Sequence, residues 1–455
     1  MQKKTTEVDM LHGSLAKKLL LFTLPIALSS ILQQLFNAAD TSIVGYFGNA
    51  NALAAVGTNG EIVALIVTLS SGLAIGAKIL VANQIGQNKQ DNISEIVQTS
   101  VVLAALAGII GLIIGQCVAL PLLRMIRTPQ KIFSAAESYL RIYLAGYPFL
   151  LIYDFGAAIL RARGDSRYPF IALTVSGIMN VVLNLILVVM FHFDVAGVAI
   201  ATDISTGISA WMVLQRLRRD EIFQLSFRHF HIEWKYVAEI LKMGIPSAIQ
   251  GAVFCFANIF VQASVNTFGS VAIAGSTIAM NFEYFAYYGI TAFGQTATTF
   301  TSQNYAAGQT GRCRKILWQC LGFSVLCSLI MIEPVIIFRN GFSGLFSADK
   351  AVIESAEIRI MCILFFEPVC SFYEIPAGVL RGAGHAMLPA VSTMVGTCLF
   401  RIVWICTVFR THSSLAMLYH AFPLSWVLTI MLVAISFVAA KLFGAYKIPD
   451  KNRNI

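Results

Sequence analysis

The sequence predicts an all-α polytopic membrane protein, with twelve transmembrane helices in two pseudo-symmetric six-helix bundles. Three observations carry that prediction. Of the 455 residues, 57% are hydrophobic and only 12% charged, with a mean hydropathy of +0.74, against roughly 25% charged in an ordinary soluble domain. Uniform runs such as VVLAALAGIIGLIIGQCVALPLL (101–123) and WVLTIMLVAISFVAAKLFG (426–444) reach the roughly 20 residues with which a helix crosses a ~30 Å hydrocarbon core. Barrel strands would instead alternate over ~10 residues. The chain also repeats itself. Arg161-Ala-Arg-Gly164-Asp-Ser-Arg-Tyr-Pro169 matches Arg381-Gly-Ala-Gly384-His-Ala-Met-Leu-Pro389 at a constant offset of 220 residues, and the same offset pairs Glu137 with Glu357, Pro148 with Pro368, Asp154 with Glu374 and Ala157 with Ala377. Six spans separate equivalent positions, so the halves share one topology and are related by an axis along the membrane normal, with the substrate site expected between the repeats.

Polar punctuation sets the elements in order. Residues 1–18 are a charged N-terminal segment with no short apolar core and cleavage site, so the first helix is expected to be retained. An N-lobe over 19–216 holds spans near 19–44, 53–82, 95–123, 134–160, 168–191 and 195–216. A linker (217–236) leads to a C-lobe over 237–441 with spans near 237–266, 271–303, 315–339, 355–380, 388–409 and 414–441, and a tail follows (442–455). With an intracellular N-terminus, roughly 22 Lys and Arg fall on the cytoplasmic side and about 6 on the other. Both termini are therefore expected in the cytoplasm and the chain in the plasma (inner) membrane of a bacterium. On that reading the net charge of +9 is a topological signal among lipids, not a nucleic-acid footprint. The nine cysteines form no C-x-x-C pair and no grouping with His at metal-ligand spacing, so they read as small buried apolar residues, with no metal expected.

Polar residues inside spans are the functional candidates. In QQLFNAAD (33–40), Gln33, Asn37 and Asp40 fall on one helical face, with Gln34 beside them. A carboxylate within a span is a functional-site hypothesis by default; the plainer reading is an end-of-span residue that snorkels to the outer boundary. The fifth span carries Asn180 and Asn184 one turn apart, suited to interhelical hydrogen bonds or to cation coordination, and Thr202 and Asp203 in the sixth are placed to complete such a cluster. In the eighth span Glu283 stands among Met280, Tyr284, Tyr287 and Tyr288. That set suits a lipophilic organic cation through charge and cation–π attraction, or else forms an interfacial aromatic belt. Asp154 and Glu374 each precede an arginine, Arg161 and Arg381, by seven residues. At roughly 10 Å along the helix, each pair is expected to need a bridging partner and to be structural. Arg401 is a mid-span cation that requires a partner, Glu374 or Glu367. Pro25, Pro148, Pro246 and Pro368 are candidates for bends, either between states or as fixed kinks. The chain has no phosphate-binding G-x-x-x-x-G-K-[ST] loop, no H-E-x-x-H and no G-x-S-x-G, so neither an ATP site nor enzyme chemistry is expected.

The first-span pattern LPIALSSILQQLFNAADTSIVGYFG, the loop QIGQNKQ, the LRARGDSRYP/LRGAGHAMLP pair and the N-x-x-x-N of the fifth span together resemble the multidrug and toxic compound extrusion (MATE) family, over essentially the entire chain. The resemblance implies an antiporter that works by alternating access, exporting cationic or amphipathic organic compounds in exchange for H+ or Na+, with no cofactor beyond that coupling cation. It also implies an ion site at Asp40, Asn180 and Asn184; the in-span polar residues extend the expected coupling-ion site to Asn37 and Thr202, with Gln33, Gln34, Glu283 and its aromatic neighbours expected to contact substrate. One branch of the family has an acidic residue where this chain has Asn184, and that departure leaves the choice of ion open. A lipid-linked saccharide flippase of the same broad architecture, or a non-transporting membrane protein, are the rival readings.

Overall fold

The computed structural model describes residues 7–47, 50–89, 92–126, 128–225, 232–347 and 349–442. Helix is what such a sequence must form. Hydrocarbon offers no partners for backbone N–H and C=O groups, and helix satisfies them within one segment. The first three spans are Leu15–Phe47, Ala50–Gly86 and Ile93–Met125. The fourth is built of two segments, Gln130–Ala145 and Tyr147–Arg163, bent by 44° at Gly146. The fifth runs Arg167–Asn184 and then unwinds into a π-helical stretch, Leu185–Met190, before the sixth, Asp194–Arg218.

The second half follows the same order: Trp234–Asn266, Ser270–Ala306 and Thr310–Ile337 form the seventh to ninth spans. The tenth comprises Lys350–Cys362, a 3-10 stretch Leu364–Cys370 and Ser371–Gly382. The eleventh runs from Met387 to Thr411 through a π-helical stretch, Met394–Leu399, and Leu415–Ala439 closes the set. Ten of these helices are long and apolar enough to cross a membrane, and the bent fourth span makes an eleventh. The eighth, Ser270–Ala306, falls short in apolar content along its length: its first half carries Ser276, Thr277, Asn281, Glu283 and three tyrosines, and its second half buried Thr296, Thr298, Thr299, Thr301, Ser302, Gln303 and Asn304.

The expected repeat is visible in backbone detail. Gly164 and Gly384 both end their helices in the left-handed region, at φ +107° and +90°. The Gly164 N–H donates to Arg161 O and the Asp165 N–H to Leu160 O, at 3.0 Å each; the Gly384 N–H donates to Arg381 O at 3.0 Å and the His385 N–H to Leu380 O at 2.9 Å. These are two copies of one Schellman cap, which needs a residue without a β-carbon at that position. Pro148 and Pro368 are likewise paired at interruptions. Pro148 sits in the first turn after the break at Gly146, where its missing N–H costs nothing, and Pro368 lies inside the 3-10 stretch. Pro25 and Pro246 are accommodated within unbroken helices.

The chain divides into two compact units, and the division does not coincide with the linear one expected at 217–236. Unit 1 holds residues 1–8, 24–81 and 89–255; unit 2 holds 9–23, 82–88 and 256–455. Three long helices are therefore shared, and side chains explain where. In unit 2, Thr23 Oγ1 lies 2.8 Å from Thr296 Oγ1, Phe22 packs edge-on against Phe300 with ring centres 5.5 Å apart, and Ser302 donates to Asn83 Oδ1 at 2.8 Å. In unit 1 a β-carbon on Gly72 would meet the backbone of Ala248 at 2.5 Å. That contact ties the beginning of the seventh span to the second. An apolar cluster near the polar site of unit 1 gathers Ile43, Val44, Ala52, Ala55, Tyr139, Leu140, Leu144, Val188 and Val198.

Candidate functional site

The polar residues of the first, fifth and sixth spans converge within unit 1. Asn180 and Asn184 face inward one turn apart, 5% and 0% exposed, on the last α-helical turns before the π-helical stretch. Such local unwinding recurs at functional sites. The Asn184 amide N–H group donates to Asp40 Oδ1 and, at 3.3 Å, to Asn180 Oδ1; the Asn180 amide donates to Thr202 Oγ1 at 3.3 Å. Thr202 gives its own proton to Val198 O at 3.0 Å. Asp40 thus accepts directly from Asn184 and has Thr202 and Asn180 beside it, all neutral, and no Lys or Arg pairs with it among the described residues. Asn184 Oδ1, wholly buried, has no hydrogen-bond partner. Chemically this is a carboxylate ringed by carboxamide and hydroxyl oxygens. Such a set of hard donors suits a proton or a small hard cation.

The rest of the first-span stripe lies elsewhere. Asn37 and Gln33 are exposed, Gln34 half-buried, and the Asn37 carbonyl accepts from Thr41 Oγ1 at 2.9 Å. Asn37 is therefore not brought to Asp40: three residues on a helix leave it about 60° off the direction that faces the fifth span. Two further residues, which the sequence did not single out, lie near this cluster. Tyr139 and Tyr143, stacked with ring centres 6.1 Å apart, lie in the field of Asp40. Their i, i+4 spacing on the amphipathic first segment of the fourth span was the available signal.

In unit 2 the acidic side chains are spoken for. Glu283 is buried and receives two hydrogen bonds from Arg359, at 2.7 and 2.8 Å; Arg359 also donates to Ser276 Oγ at 2.7 Å and lies over the rings of Tyr419 and Phe422, 5.3 and 5.7 Å from their centres. Glu283 is therefore a neutralised half of a fork-like ion pair and no free acceptor for an organic cation. Of its expected companions, Tyr284 and Tyr288 stack on each other with ring centres 6.1 Å apart, Tyr284 lies in the field of Arg359, Tyr287 lies in the field of Glu374, and Met280 is half-buried. Sequence reasoning passed over Arg359, although the rule applied to Arg401, that a mid-span cation needs a partner, points to it equally.

Glu374 binds Arg381 directly at 2.8 Å. The two extended side chains close the two-turn gap that was expected to need a bridge. Asp154 and Arg161 match that expectation better: they lie in each other's field without a direct ion pair, and Asp154 Oδ2 has no hydrogen-bond partner. Arg401 finds partners in the Phe422 ring, 3.9 Å from the centre, in Ser425 Oγ at 3.2 Å, and in the field of Glu367, one of its two acidic candidates.

A family model described as MatE matches residues 25–186 and again 246–407. The chain belongs to the MatE family. The two matched blocks are the two halves of the repeat, so the family's unit and this chain's internal symmetry coincide. MatE proteins are membrane transporters rather than enzymes. Among relatives, the chain is 25% identical over 387 residues to the probable multidrug resistance protein YoeA of Bacillus subtilis, covering 83% of each chain. It is 26% identical over 388 residues to the probable multidrug resistance protein NorM of Thermotoga maritima, covering 83% of this chain and 82% of that one. In fold it is similar to the solved structure of a MOP superfamily transporter from Pyrococcus furiosus, with a TM-score of 0.88 at 20% identity over 97% of this chain and 99% of the other.

Proposed function

We propose that this MatE protein is a secondary antiporter that exports cationic or amphipathic organic compounds in exchange for H+ or Na+, by alternating access. Asp40, Asn180, Asn184 and Thr202 bind the coupling cation. The supporting observation is the environment of Asp40: a carboxylate held by neutral groups alone, beside a buried amide oxygen that lacks a partner. An acid in that setting is balanced by a cation that comes and goes. With a cation on Asp40, the Asn184 carboxamide turns its oxygen inward, since amide orientation follows the partners available. Coupling then requires that cation and substrate favour different states of the protein.

The multidrug names of YoeA and NorM agree with an organic cargo. A flippase for a lipid-linked pyrophosphate would need guanidinium groups open to the headgroup, whereas Arg359 and Arg381 are engaged by Glu283 and Glu374. The excess of Lys and Arg on one set of loops supports cytoplasmic termini in a bacterial inner membrane. The test is efflux of ethidium from proteoliposomes with Na+ and pH gradients imposed separately. One of the two gradients drives efflux by the wild-type protein, and neither drives it in Asp40→Asn; gradient-driven efflux by Asp40→Asn refutes the assignment.

A further inference from the structure

The ninth span carries, on its exposed side in unit 2, a stripe that the antiport reading leaves unused. Lys315, Trp318, Gln319, Gly322, Leu326 and Leu329 follow one another at helical spacing along one face of Thr310–Ile337, with Arg314 one turn before Trp318. Arg314, Lys315, Trp318 and Gln319 line a hollow, and from Trp318, which borders both, an open groove continues over Gly322 to Leu329. The other wall of the groove is Phe372, at the start of Ser371–Gly382 in the tenth span. On the buried side the hydroxyls of Ser324 and Ser371 lie 2.8 Å apart and hold the two spans together. A β-carbon on Gly322 would meet nothing within 4 Å, so this glycine is a notch in the helix surface and not a contact between helices. Arg314 and Lys315 are exposed and pair with no acid among the described residues. Gln319 Oε1 is buried without a hydrogen-bond partner.

From Trp318 to Leu329 the helix rises about 16 Å, half of a ~30 Å hydrocarbon core. The groove is therefore as deep as one leaflet, with two cations and an indole at its polar end, where headgroups lie. Bulk lipid covers any apolar helix face, but a plain face offers neither a notch for a chain nor charge for a phosphate. We propose that this groove binds one anionic phospholipid, its phosphate held by Arg314 and Lys315 and one acyl chain lying over Gly322 against Phe372. A hydroxyl of the headgroup donates to Gln319 Oε1. Phe372 follows directly on the 3-10 stretch Leu364–Cys370, so the bound chain packs beside the interruption of the tenth span.

Native mass spectrometry of the full-length protein, released from detergent micelles that hold equal phosphatidylglycerol and phosphatidylcholine, tests the proposal. Each surface cation favours an anionic headgroup about fivefold, so wild type retains one phosphatidylglycerol about thirtyfold over phosphatidylcholine. Arg314→Gln or Lys315→Gln lowers the preference to about fivefold, and the double variant removes it. Gly322→Leu, which fills the notch, weakens retention of phosphatidylglycerol. Equal retention of the two lipids by wild type, a preference untouched in the double variant, or unaltered retention in Gly322→Leu overturns the proposal. Inorganic phosphate leaves the lipid in place; displacement by it would identify a site for a small anion and overturn the proposal as well. A measurement on the unmutated protein guards against misfolded variants. Phosphatidylglycerol with a diazirine in its acyl chain labels peptides containing Leu326, Leu329 and Phe372 ahead of the rest of the lipid-facing surface, and uniform labelling contradicts the site. None of these outcomes bears on Asp40.

Discussion

Two acidic side chains inside the helices of each unit are met in opposite ways. In unit 1, Asp40 is met by two amides and a hydroxyl, and Asp203 lies against the backbone of Gly146. In unit 2, Glu283 is gripped by Arg359 and Glu374 by Arg381. A buried carboxylate with a permanent guanidinium has its charge balanced for good and holds helices together. In the proposed function, one with only neutral partners depends on a mobile cation. The halves share their scaffold down to the glycine caps at Gly164 and Gly384, and differ in what meets these acids.

That contrast breaks most visibly at Asp40. Asp40→Asn is expected to reduce gradient-driven efflux to background while leaving the yield and thermal midpoint of the purified protein near wild type; a midpoint that falls with the flux would make Asp40 structural. Glu283→Ala should do the reverse and cost about 3–5 kcal/mol of stability by stranding Arg359. Replacing both Glu283 and Arg359 with Met should recover most of it, because a well-packed apolar pair avoids the desolvation that the ion pair incurs. Thermal unfolding in detergent distinguishes these outcomes, and a Glu283→Ala protein with unaltered stability but altered substrate affinity would return that residue to the binding site.

Smaller effects sharpen the likeness between the halves. Gly384→Ala should cost about 1–2 kcal/mol for a β-carbon in the left-handed region. Gly164→Ala should cost more, because there the β-carbon also meets the Val8 carbonyl. Equal thermal shifts would show that the Val8 contact yields freely.

Smallest is a pH effect outside the spans. Burial opposes ionisation of Asp9, but hydrogen bonds from the Leu11 N–H, the Lys18 ammonium and the His12 N–H outweigh it and hold the carboxyl below its ordinary value. A depressed carboxyl stabilises above its unfolded pKa and loses that contribution as pH falls through the folded one. Wild type and Asp9→Asn should therefore differ at neutral pH by about a few tenths of a kcal/mol, given the exposure of Asp9, and converge below about pH 4. A gap that persists at low pH would remove Asp9's charge from the explanation.

Much of this was legible in the sequence, for reasons that vary by residue. Spans are legible because hydrocarbon imposes one length and one polarity, and the repeat because Gly164, Gly384, Pro148 and Pro368 each meet a backbone demand that few other residues satisfy. The trio Asp40, Asn180 and Asn184 was legible because polar groups at helical spacing inside a span are expensive and so informative. Partners across helices were not. Nothing local to Glu283 says that Arg359 waits 76 positions away, and the periodicity of the first span includes Asn37 although the packing leaves it out. The eighth span was legible as a helix, yet its polar C-terminal half answers to buried contacts within unit 2 rather than to lipid. Where the units divide was equally hidden, because a helix continuous in sequence can belong to both.

The most direct test is release of the bound cation by purified protein when an organic cation binds. Tetraphenylphosphonium is titrated into detergent-solubilised protein, with a pH indicator reporting H+ and a sodium electrode reporting Na+. The account predicts stoichiometric release of one of the two ions from wild type and from Glu283→Ala, and none from Asp40→Asn. Saturable binding of tetraphenylphosphonium to wild type with neither ion released would contradict it.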